Sequence, residues 1–262
     1  MEQLSQVSSL QGMSSTYAAP GAGTAVADWA PDARPSAPPS PGAWEPVLAE
    51  LQRRGEGMAP VSLAARVLEI AIALPLLMLT APIIAVIALV VRLDSPGPVI
   101  FRQVRVGRHG RLFRFAKFRT LYADARERWP ELYAYSYSPD EMATLYFKLR
   151  DDPRVTRVGK WLRKSTLDEL PNLWNVIVGD VALVGPRPEI PEMLPYYDDQ
   201  TLAKFSVRPG ITGLAQVKGR GDLNFRDTVN FDVEYVYTRS PWLDVSIAVQ
   251  TVVCTVLRRG AF

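Results

Sequence analysis

Two adjacent carboxylates, Asp168 and Glu169, are the side chains of this sequence best placed to do chemistry. Thr166 to Glu169 matches a capping box, and Pro171 fits only within the first turn of a helix. A helix is therefore predicted to begin near Thr166. Its apolar face would be formed by Leu170, Leu173, Trp174 and Ile177. The first turn favours anions, but acids there are also ordinary capping residues.

Cations flank this acidic pair in the sequence. Arg163 and Lys164 precede it, and the rigid turn Gly185–Pro188 places Arg187 after an apolar run, where a guanidinium can hold phosphate bidentately. One histidine and one cysteine leave almost nothing for a Ser-His-Asp triad or a zinc site, and they exclude a disulfide within one chain. Chemistry therefore rests on carboxylates, Lys, Arg and a hard metal ion.

A glycine-punctuated loop, residues 207–220, supplies further cations for a diphosphate: Arg208, Lys218 and Arg220. It matches neither a P-loop nor a dinucleotide-binding fingerprint, so the loop is a weak signal when taken alone.

Two β-like runs, residues 98–106 and 111–121, predict a hairpin because glycines bound the connection between them. No acid occurs between Asp94 and Asp124. Seven cations fall there: Arg102, Arg105, Arg108, Arg111, Arg114, Lys117 and Arg119. Such a set is compatible with a solvated strand face, but directly after an apolar segment it favours binding of lipid head groups or a diphosphate.

The apolar segment Ile70–Val91 contains no charge, and Thr80 is its only polar side chain. As a helix it would match the thickness of a bilayer's hydrocarbon core. Pro75 and Pro82 predict a kink or break, and both flanks are basic. These features favour a re-entrant element broken at Pro82, with both ends on the cytoplasmic side, over a straight span or a soluble core helix.

The remaining regions leave more alternatives open. Residues 1–57 are Pro/Ala/Ser-rich and are predicted to be a disordered tail without a signal peptide, with room for a short helix near residues 47–54. Residues 123–149 are predicted to be helical and aromatic-rich, either at the bilayer interface or packed on the core. Residues 242–257 predict an amphipathic helix that contacts either the membrane or the core.

At these residues the sequence resembles the bacterial sugar transferase family, whose members are monotopic phosphoglycosyl transferases. The matching segments, in the family's order, are the Pro-broken helix, GPVIFRQVRVGRHGRLFRFAKFRTL, RVGKWLRKSTLDELPNLWNVIVGDVALVGPRP, VRPGITGLAQVKGR and FDVEYVYTRSPWLD. The resemblance implies an α+β fold: a re-entrant helix-turn-helix at residues 58–95 and a small, mainly helical catalytic domain at 96–262. The sequence departs from the family pattern at Ala81-Pro82, where family members usually have Ser-Pro.

The resemblance also implies an activity and a site. Family members transfer a sugar 1-phosphate from a nucleoside diphosphate sugar, here expected to be a UDP-sugar, to polyprenyl phosphate, with Mg²⁺, as the initiating step of a surface glycan or exopolysaccharide. The family's Asp-Glu dyad maps onto Asp168, the expected nucleophile, and Glu169, and both are expected to hold the metal. The expected substrate-binding residues are Lys117, Arg119, Arg163, Pro186, Arg187, Arg208, Gln216, Lys218 and Arg220. The implied location is the cytoplasmic face of a bacterial inner membrane, in contact with lipid and without nucleic acid, and a homodimer is left open.

Two other classes of function fit parts of the sequence. A membrane-anchored binding protein would use the basic hairpin to hold acidic lipid or nucleic acid, and its binding would fall steeply with ionic strength. A structural anchor would use only the apolar segment. Neither requires the Asp168-Glu169 pair or the turn that carries Arg187, so the transferase is the preferred interpretation.

Overall fold

A computed structural model of the chain describes residues 42–138, 141–142, 144–146, 151–219 and 222–256. The helices are α1 (Trp44–Gly55), α2 (Leu63–Asp94), α3 (Ala125–Arg128), α4 (Arg157–Ser165), α5 (Asn172–Val178), α6 (Leu214–Lys218), α7 (Phe225–Thr238) and α8 (Pro241–Val256). The strands are β1 (Ile100–Val106), β2 (Leu112–Phe118), β3 (Ala182–Val184) and β4 (Gly210–Thr212). Helices and two small sheets thus form the mixed, mainly helical α+β architecture predicted from the sequence.

The predicted basic hairpin is confirmed. Strands β1 and β2 pair antiparallel, with Val106 opposite Leu112 at the turn and Phe101 opposite Lys117 at the far end. Because side chains alternate across a strand, Phe113, Phe115 and Lys117 share one face of β2. The two phenylalanines are buried against α2 and α5, so the lysine at the end of this row is carried toward the interior.

Helix α2 is long and apolar enough to cross a membrane by length and composition. It is one helix of 32 residues that continues through Pro75 and Pro82, whereas the sequence predicted a helix-turn-helix broken at Pro82. Each proline removes a single backbone donor, so the remaining hydrogen bonds can carry the helix past it. The Thr80 hydroxyl donates to the Leu76 carbonyl, 2.7 Å away, in the turn before Pro82.

One side of α2 packs on the rest of the protein along most of its length. Ala73 is buried against Phe113 and Phe115, while Ile87 and Val91 are buried against Phe118 and Leu162. The opposite side exposes large apolar residues, including Leu63, Val67, Leu68, Met78, Leu79, Val86, Leu89 and Leu93. This apolar face has no partner within the described part of the chain.

Helix α1 corrects the predicted boundary of the disordered tail. The short helix expected near residues 47–54 is present, but its Leu48 and Leu51 are buried in the largest core cluster, beside residues such as Phe205 and Met193. The folded unit therefore includes Trp44–Gly55, which the composition had assigned to the tail. Residues 1–41 lie outside the described residues.

The aromatic-rich segment after β2 is only partly helical, whereas the sequence predicted a helix over residues 123–149. Its described part contains α3, a 3-10 helix at Pro130–Tyr133 and helical residues 141–142, and these are not continuous because Pro130 interrupts helical hydrogen bonding and Tyr135 adopts a positive φ of 47°. Tyr135, Tyr137, Met142 and Leu145 pack against the core cluster that contains Leu48 and Leu51. These contacts favour the alternative of a segment that packs on the core.

Helix α8 matches the predicted amphipathic C-terminal helix. Ile247 is fully buried with Leu214 and Tyr235, which favours core packing for this face. The other face exposes Trp242, Val245, Val249, Val252 and Val253.

Candidate active site

Asp168 and Glu169 lie in a short 3-10 helix, Leu167–Glu169, between α4 and α5. Thr166 has a left-handed conformation, φ 62°, which ends α4, and its side chain makes no capping hydrogen bond. The α-helix α5 begins only at Asn172. A helical turn therefore starts after Thr166 as predicted and holds both acids, but the predicted capping box does not form and the turn does not continue directly as one α-helix.

This arrangement has two consequences for side chains. Asp168 is only 8% exposed, so its carboxylate is taken largely out of water. Trp174, predicted to lie on the apolar core face of the helix, is instead 58% exposed, while Leu173 is buried. The core face of α5 therefore includes Leu173 and Val176 but not Trp174.

Three cations from separate elements surround the pair: Lys117 from β2, Arg163 from α4 and Arg187 from the loop after β3. The two terminal nitrogens of Arg187 each lie 3.4 Å from Oε1 of Glu169. Lys117, Arg163 and Arg187 all lower the pKa of the Asp168 carboxyl through their charges. The structure thus brings together five of the residues predicted from the sequence.

The surroundings of Asp168 shift the pKa of its carboxyl toward neutral pH. Burial, followed by the neighbouring charge of Glu169, raises the pKa of Asp168 to about 6, and the three cations only partly oppose this. Burial also lowers the pKa of the Lys117 ammonium to about 8, with the charge of Arg105 acting in the same direction. Between these two values the carboxylate and the ammonium are both ionised.

Arg163 is held in place by two groups that sequence reasoning did not single out. Its Nε donates to the Thr120 hydroxyl at 3.1 Å, and Nη1 lies 3.4 Å from the Asp152 carboxylate. Asp152 is itself bound by Arg154 at 2.8 Å. Because Thr120 directly follows β2, this hydrogen bond links Arg163 to the strand that carries Lys117.

The loop of Arg187 is fixed by a close crossing of two strands. Strand β3 pairs parallel to β4, and beyond it the Gly185 N–H donates to the Thr212 carbonyl while the Gly210 N–H donates to the Pro186 carbonyl. A side chain at Gly185 or Gly210 would collide with the opposite backbone. Glycine at both positions lets the chains approach closely and places Pro186 and Arg187 at the end of β3.

A buried polar network lies behind this loop. The ammonium of Lys204 is 2.9 Å from the Tyr197 hydroxyl and 3.1 Å from the carboxylate of Asp232, which is fully buried. The Tyr197 hydroxyl donates to Glu189 at 3.0 Å. Burial raises the pKa of the Asp232 carboxyl, whereas Lys204 and the backbone N–H of Arg187 act in the opposite direction.

Arg105 joins this network to the hairpin. Its Nη1 donates to the Pro188 carbonyl at 3.0 Å and lies 3.9 Å from Glu189, while the N–H of Val106 donates to the Glu189 carbonyl. Both sides of the Arg187 turn are therefore tied to the buried core. No sequence pattern indicated Lys204, Asp232 or Glu189, because the partners of these charges are distant in the chain.

Other predicted substrate-binding residues are not brought to the dyad. Arg119 is buried and donates to the carbonyls of Ser95 and Pro96, and Arg208 forms a bidentate pair with Glu69 at 2.7 and 2.8 Å. The Gln216 amide is buried near the Gly185–Gly213 crossing, and Lys218 is exposed at the end of α6. Arg220 lies outside the described residues.

The donor set suits a magnesium ion that also binds substrate. Within the described ranges, no three His, Cys, Asp or Glu side chains come together as a metal-binding group. Mg²⁺ in phosphate-handling sites is typically held by one or two carboxylates and completes its coordination with substrate phosphates and water. Asp168 and Glu169 supply two adjacent carboxylates of this kind, so the residues present fit the ion.

Comparison with known proteins gives a match to the bacterial sugar transferase family over residues 61–258. The chain is 43% identical over 166 residues to the galactosyl transferase CpsE of Streptococcus agalactiae, covering 63% of this chain and 36% of that protein. It is 40% identical over 200 residues to a UDP-glucose:undecaprenyl-phosphate glucose-1-phosphate transferase of Caulobacter vibrioides, covering 73% and 69%. It is 36% identical over 200 residues to the exopolysaccharide production protein ExoY of Rhizobium meliloti, covering 76% and 88%.

The lengths of these relatives differ widely. The chain spans between 36% and 41% of the length of four of the curated relatives that it matches. The match to the family includes α2 and every residue of the acidic and cationic cluster.

Proposed function

This chain belongs to the bacterial sugar transferase family, and we propose that it transfers a sugar 1-phosphate from a nucleoside diphosphate sugar to polyprenyl phosphate. The observation that carries the proposal is the buried Asp168 beside the half-buried Glu169, with the charges of Lys117, Arg163 and Arg187 acting on the Asp168 carboxyl. The Caulobacter relative is named for a UDP-glucose donor and an undecaprenyl phosphate acceptor, which supports the same substrate classes. The product would initiate a surface glycan or exopolysaccharide.

In the first step, the Asp168 carboxylate attacks the β-phosphorus of the nucleotide sugar. A bond forms between a carboxylate oxygen and this phosphorus, and the bond to the oxygen that bridges the two phosphates breaks. The nucleoside monophosphate leaves, and the sugar phosphate remains on the enzyme as an aspartyl-phosphosugar. Lys117, Arg163 and Arg187 neutralise charge on the phosphoryl oxygens and on the leaving group.

In the second step, a phosphate oxygen of the polyprenyl phosphate attacks the same phosphorus. The bond to Asp168 breaks, which regenerates the carboxylate and releases the polyprenyl diphosphate sugar. Both steps displace an oxygen at one phosphorus, so a single cationic cluster serves both.

Glu169, together with Asp168 before the reaction, would hold Mg²⁺, which when bound neutralises phosphate charge. Arg187 contacts Oε1 of Glu169 through both terminal nitrogens and helps to orient that carboxylate. The proposed division of roles leaves Asp168, the more buried carboxylate, as the nucleophile.

We also propose that both ends of α2 stay at the cytoplasmic face of the membrane, which a bend of the continuous helix at Pro75 or Pro82 would permit. Near its start, Arg66 donates to the carbonyls of Val176 and Ile177, and near its end the Asp94 carboxylate accepts from the N–H of Val158. A straight helix of this length would extend about 48 Å. Because both ends are bound to the same polar domain, a crossing would draw charged groups of that domain into the hydrocarbon core. A re-entrant position avoids this cost.

Substitution of the nucleophile tests the proposal. We expect Asp168→Asn to reduce turnover by about 10³-fold or more, since an amide is a very poor nucleophile. The wild type with labelled nucleotide sugar and Mg²⁺, but without polyprenyl phosphate, should release up to one nucleoside monophosphate per enzyme and retain labelled sugar phosphate. Both signals should be absent in Asp168→Asn and present in Asp124→Asn, a matched change at an exposed acid.

Three outcomes would contradict the proposal. Turnover of Asp168→Asn near the wild-type rate would mean that another group is the nucleophile. Loss of activity without any trapped adduct in the wild type would replace the covalent step by direct transfer in a ternary complex. Absence of any transfer, combined with lipid or nucleic-acid binding that collapses in salt, would favour the non-catalytic binding protein.

A further inference from the structure

A second cation-rich site lies at the turn end of the hairpin, away from the dyad. A cleft of about 200 Å³ is lined by Arg108 and Arg111 from the turn, by Arg208, by Asp180 after α5 and by Val61 before α2. On β2, Phe113 at the cleft and Lys117 at the dyad are four residues apart, about 13 Å. A phosphate in this cleft therefore cannot be the one that reacts at Asp168.

Positive charge in and beside the cleft exceeds negative charge. The Glu69 carboxylate is shared by Arg208 and Arg66, each at 2.7 Å. Arg111 is 78% exposed and lies 3.8 Å from Asp180, beyond hydrogen-bond distance. Four guanidinium groups, including that of Arg108, thus face two carboxylates.

Among the arginines of the cleft, Arg108 has the least neutralisation of its charge by carboxylates. It donates to the backbone carbonyls of Ser206 and Ala59, and no described carboxylate lies within ion-pair distance of it. Burial, followed by the charges of Arg208 and Arg239, lowers the pKa of its guanidinium. A bound anion would relieve this repulsion, and a phosphate is the anion whose geometry guanidinium groups match best.

The cleft opens beside the start of the exposed apolar face of α2. Val61 lines it, and Leu63, the first residue of α2, is 78% exposed, followed one turn later by Val67 at 59%. A helix face of this kind belongs in the acyl region of a bilayer, so the adjacent cleft lies at the level of the lipid head groups.

We propose that this cleft binds the phosphate of an anionic phospholipid head group and so fixes the orientation of the domain on the bilayer. The proposal rests on the membrane association in the proposed function but not on the transfer reaction. Arg108 and Arg111 are the residues that contact the phosphate, while Arg208, held by Glu69, forms part of the wall of the cleft.

The test compares the full-length protein in nanodiscs of phosphatidylcholine alone and of phosphatidylcholine mixed with phosphatidylglycerol. The wild type should unfold about 2–4 °C higher in the mixed lipid. Arg108→Gln/Arg111→Gln should lose most of this difference. Arg102→Gln/Arg114→Gln removes two exposed charges from the same hairpin outside the cleft and should retain it. Arg111→Glu alone, at a highly exposed position, guards against misfolding of the double variant and should also lose the difference.

Several outcomes would overturn the proposal. Equal losses in the cleft variants and in Arg102→Gln/Arg114→Gln would mean general attraction to an anionic surface. No response of the wild type to phosphatidylglycerol would show that the cleft binds no anionic head group. If inorganic phosphate or UDP-glucose stabilised the wild type in detergent through Arg108 and Arg111, a soluble phosphate would be the ligand. Asp168→Asn should respond to phosphatidylglycerol like the wild type, which separates this proposal from failure of the proposed reaction.

Discussion

The dyad site (Asp168 and Glu169) and the arginine cleft (Arg108, Arg111 and Arg208) are two cation-rich regions near opposite ends of one hairpin. Their carboxylates differ in how closely they are paired with arginine. In the cleft, Glu69 is neutralised by two arginines at 2.7 Å. At the dyad, the nearest ion pair joins Arg187 to Glu169 at 3.4 Å, and Asp168 is buried with its pKa raised to about 6. The difference agrees with the role proposed for Asp168, because a carboxylate that attacks phosphorus must not be held in a close ion pair, whereas nearby cations still attract the phosphate.

The two regions also differ in what lies behind them. Arg187 is backed by the buried network of Lys204, Asp232, Glu189 and Tyr197, whereas Arg111 extends into solvent. Buried support for Arg187 agrees with the proposed reaction, which requires accurate placement of the phosphate, and solvent exposure of Arg111 agrees with the proposed binding of a head group, which does not. The following predictions would break or sharpen this contrast.

The largest effect is expected from Lys204→Met. It leaves the carboxylates of Asp232 and Glu189 buried without their cation, which should cost about 3–5 kcal/mol of folding free energy. Denaturation in detergent, followed by tryptophan fluorescence, measures the loss. Asp199→Asn, which breaks an exposed pair with Arg54, should cost less than about 1 kcal/mol. Similar losses in both variants would show that the network gives the Arg187 loop no special support.

Next, Arg187→Ala should lower kcat by about 10²–10³-fold, because it removes one donor to the transferring phosphoryl group. Arg187→Lys should recover part of the rate, since it restores charge but not bidentate geometry. In detergent, Arg111→Gln should retain turnover close to that of the wild type. A comparable loss in Arg111→Gln would merge the two regions into one substrate site.

A smaller, graded effect is expected from pH. kcat/KM should rise about tenfold per pH unit below pH 6 as Asp168 ionises, and fall above pH 8 as Lys117 loses its proton. Glu169→Gln should move the acidic limb to lower pH, because it removes a charge that raises the pKa of Asp168. Arg111→Gln should leave both limbs unchanged, and a shift of either limb in that variant would contradict the separation of the regions.

The raised pKa of Asp168 also predicts how the free energy of unfolding changes with pH. The folded state binds the Asp168 proton more tightly than the unfolded chain does, so this group contributes stability at low pH that is lost as pH rises through about 6. Asp168→Asn should therefore unfold at a higher temperature than the wild type at pH 7, with the two converging toward pH 4. An unchanged difference across this range would mean that the carboxyl is not shifted.

Local patterns in the sequence were sufficient for several elements. Alternation and bounding glycines predicted the hairpin, and an apolar run followed by Gly-Pro-Arg-Pro predicted the strand and turn that carry Arg187. The uncharged run predicted a long apolar helix, and the acids together with the family motifs indicated the dyad. Each of these signals depends on neighbours within a few residues, which is why it can be read without the fold.

Only the tertiary structure decided where helices begin and which charges meet. The capping box at Thr166 was overridden because the turn that separates α4 from α5 needs a left-handed residue there. Leu48 and Leu51 became core residues through contacts that the composition of their surroundings did not indicate. The position of Arg208 in a glycine-punctuated loop predicted that it binds substrate, yet it pairs with Glu69, 139 residues away. A residue type sets what a side chain can bind, whereas the partner of a charge depends on chain segments brought together only by folding.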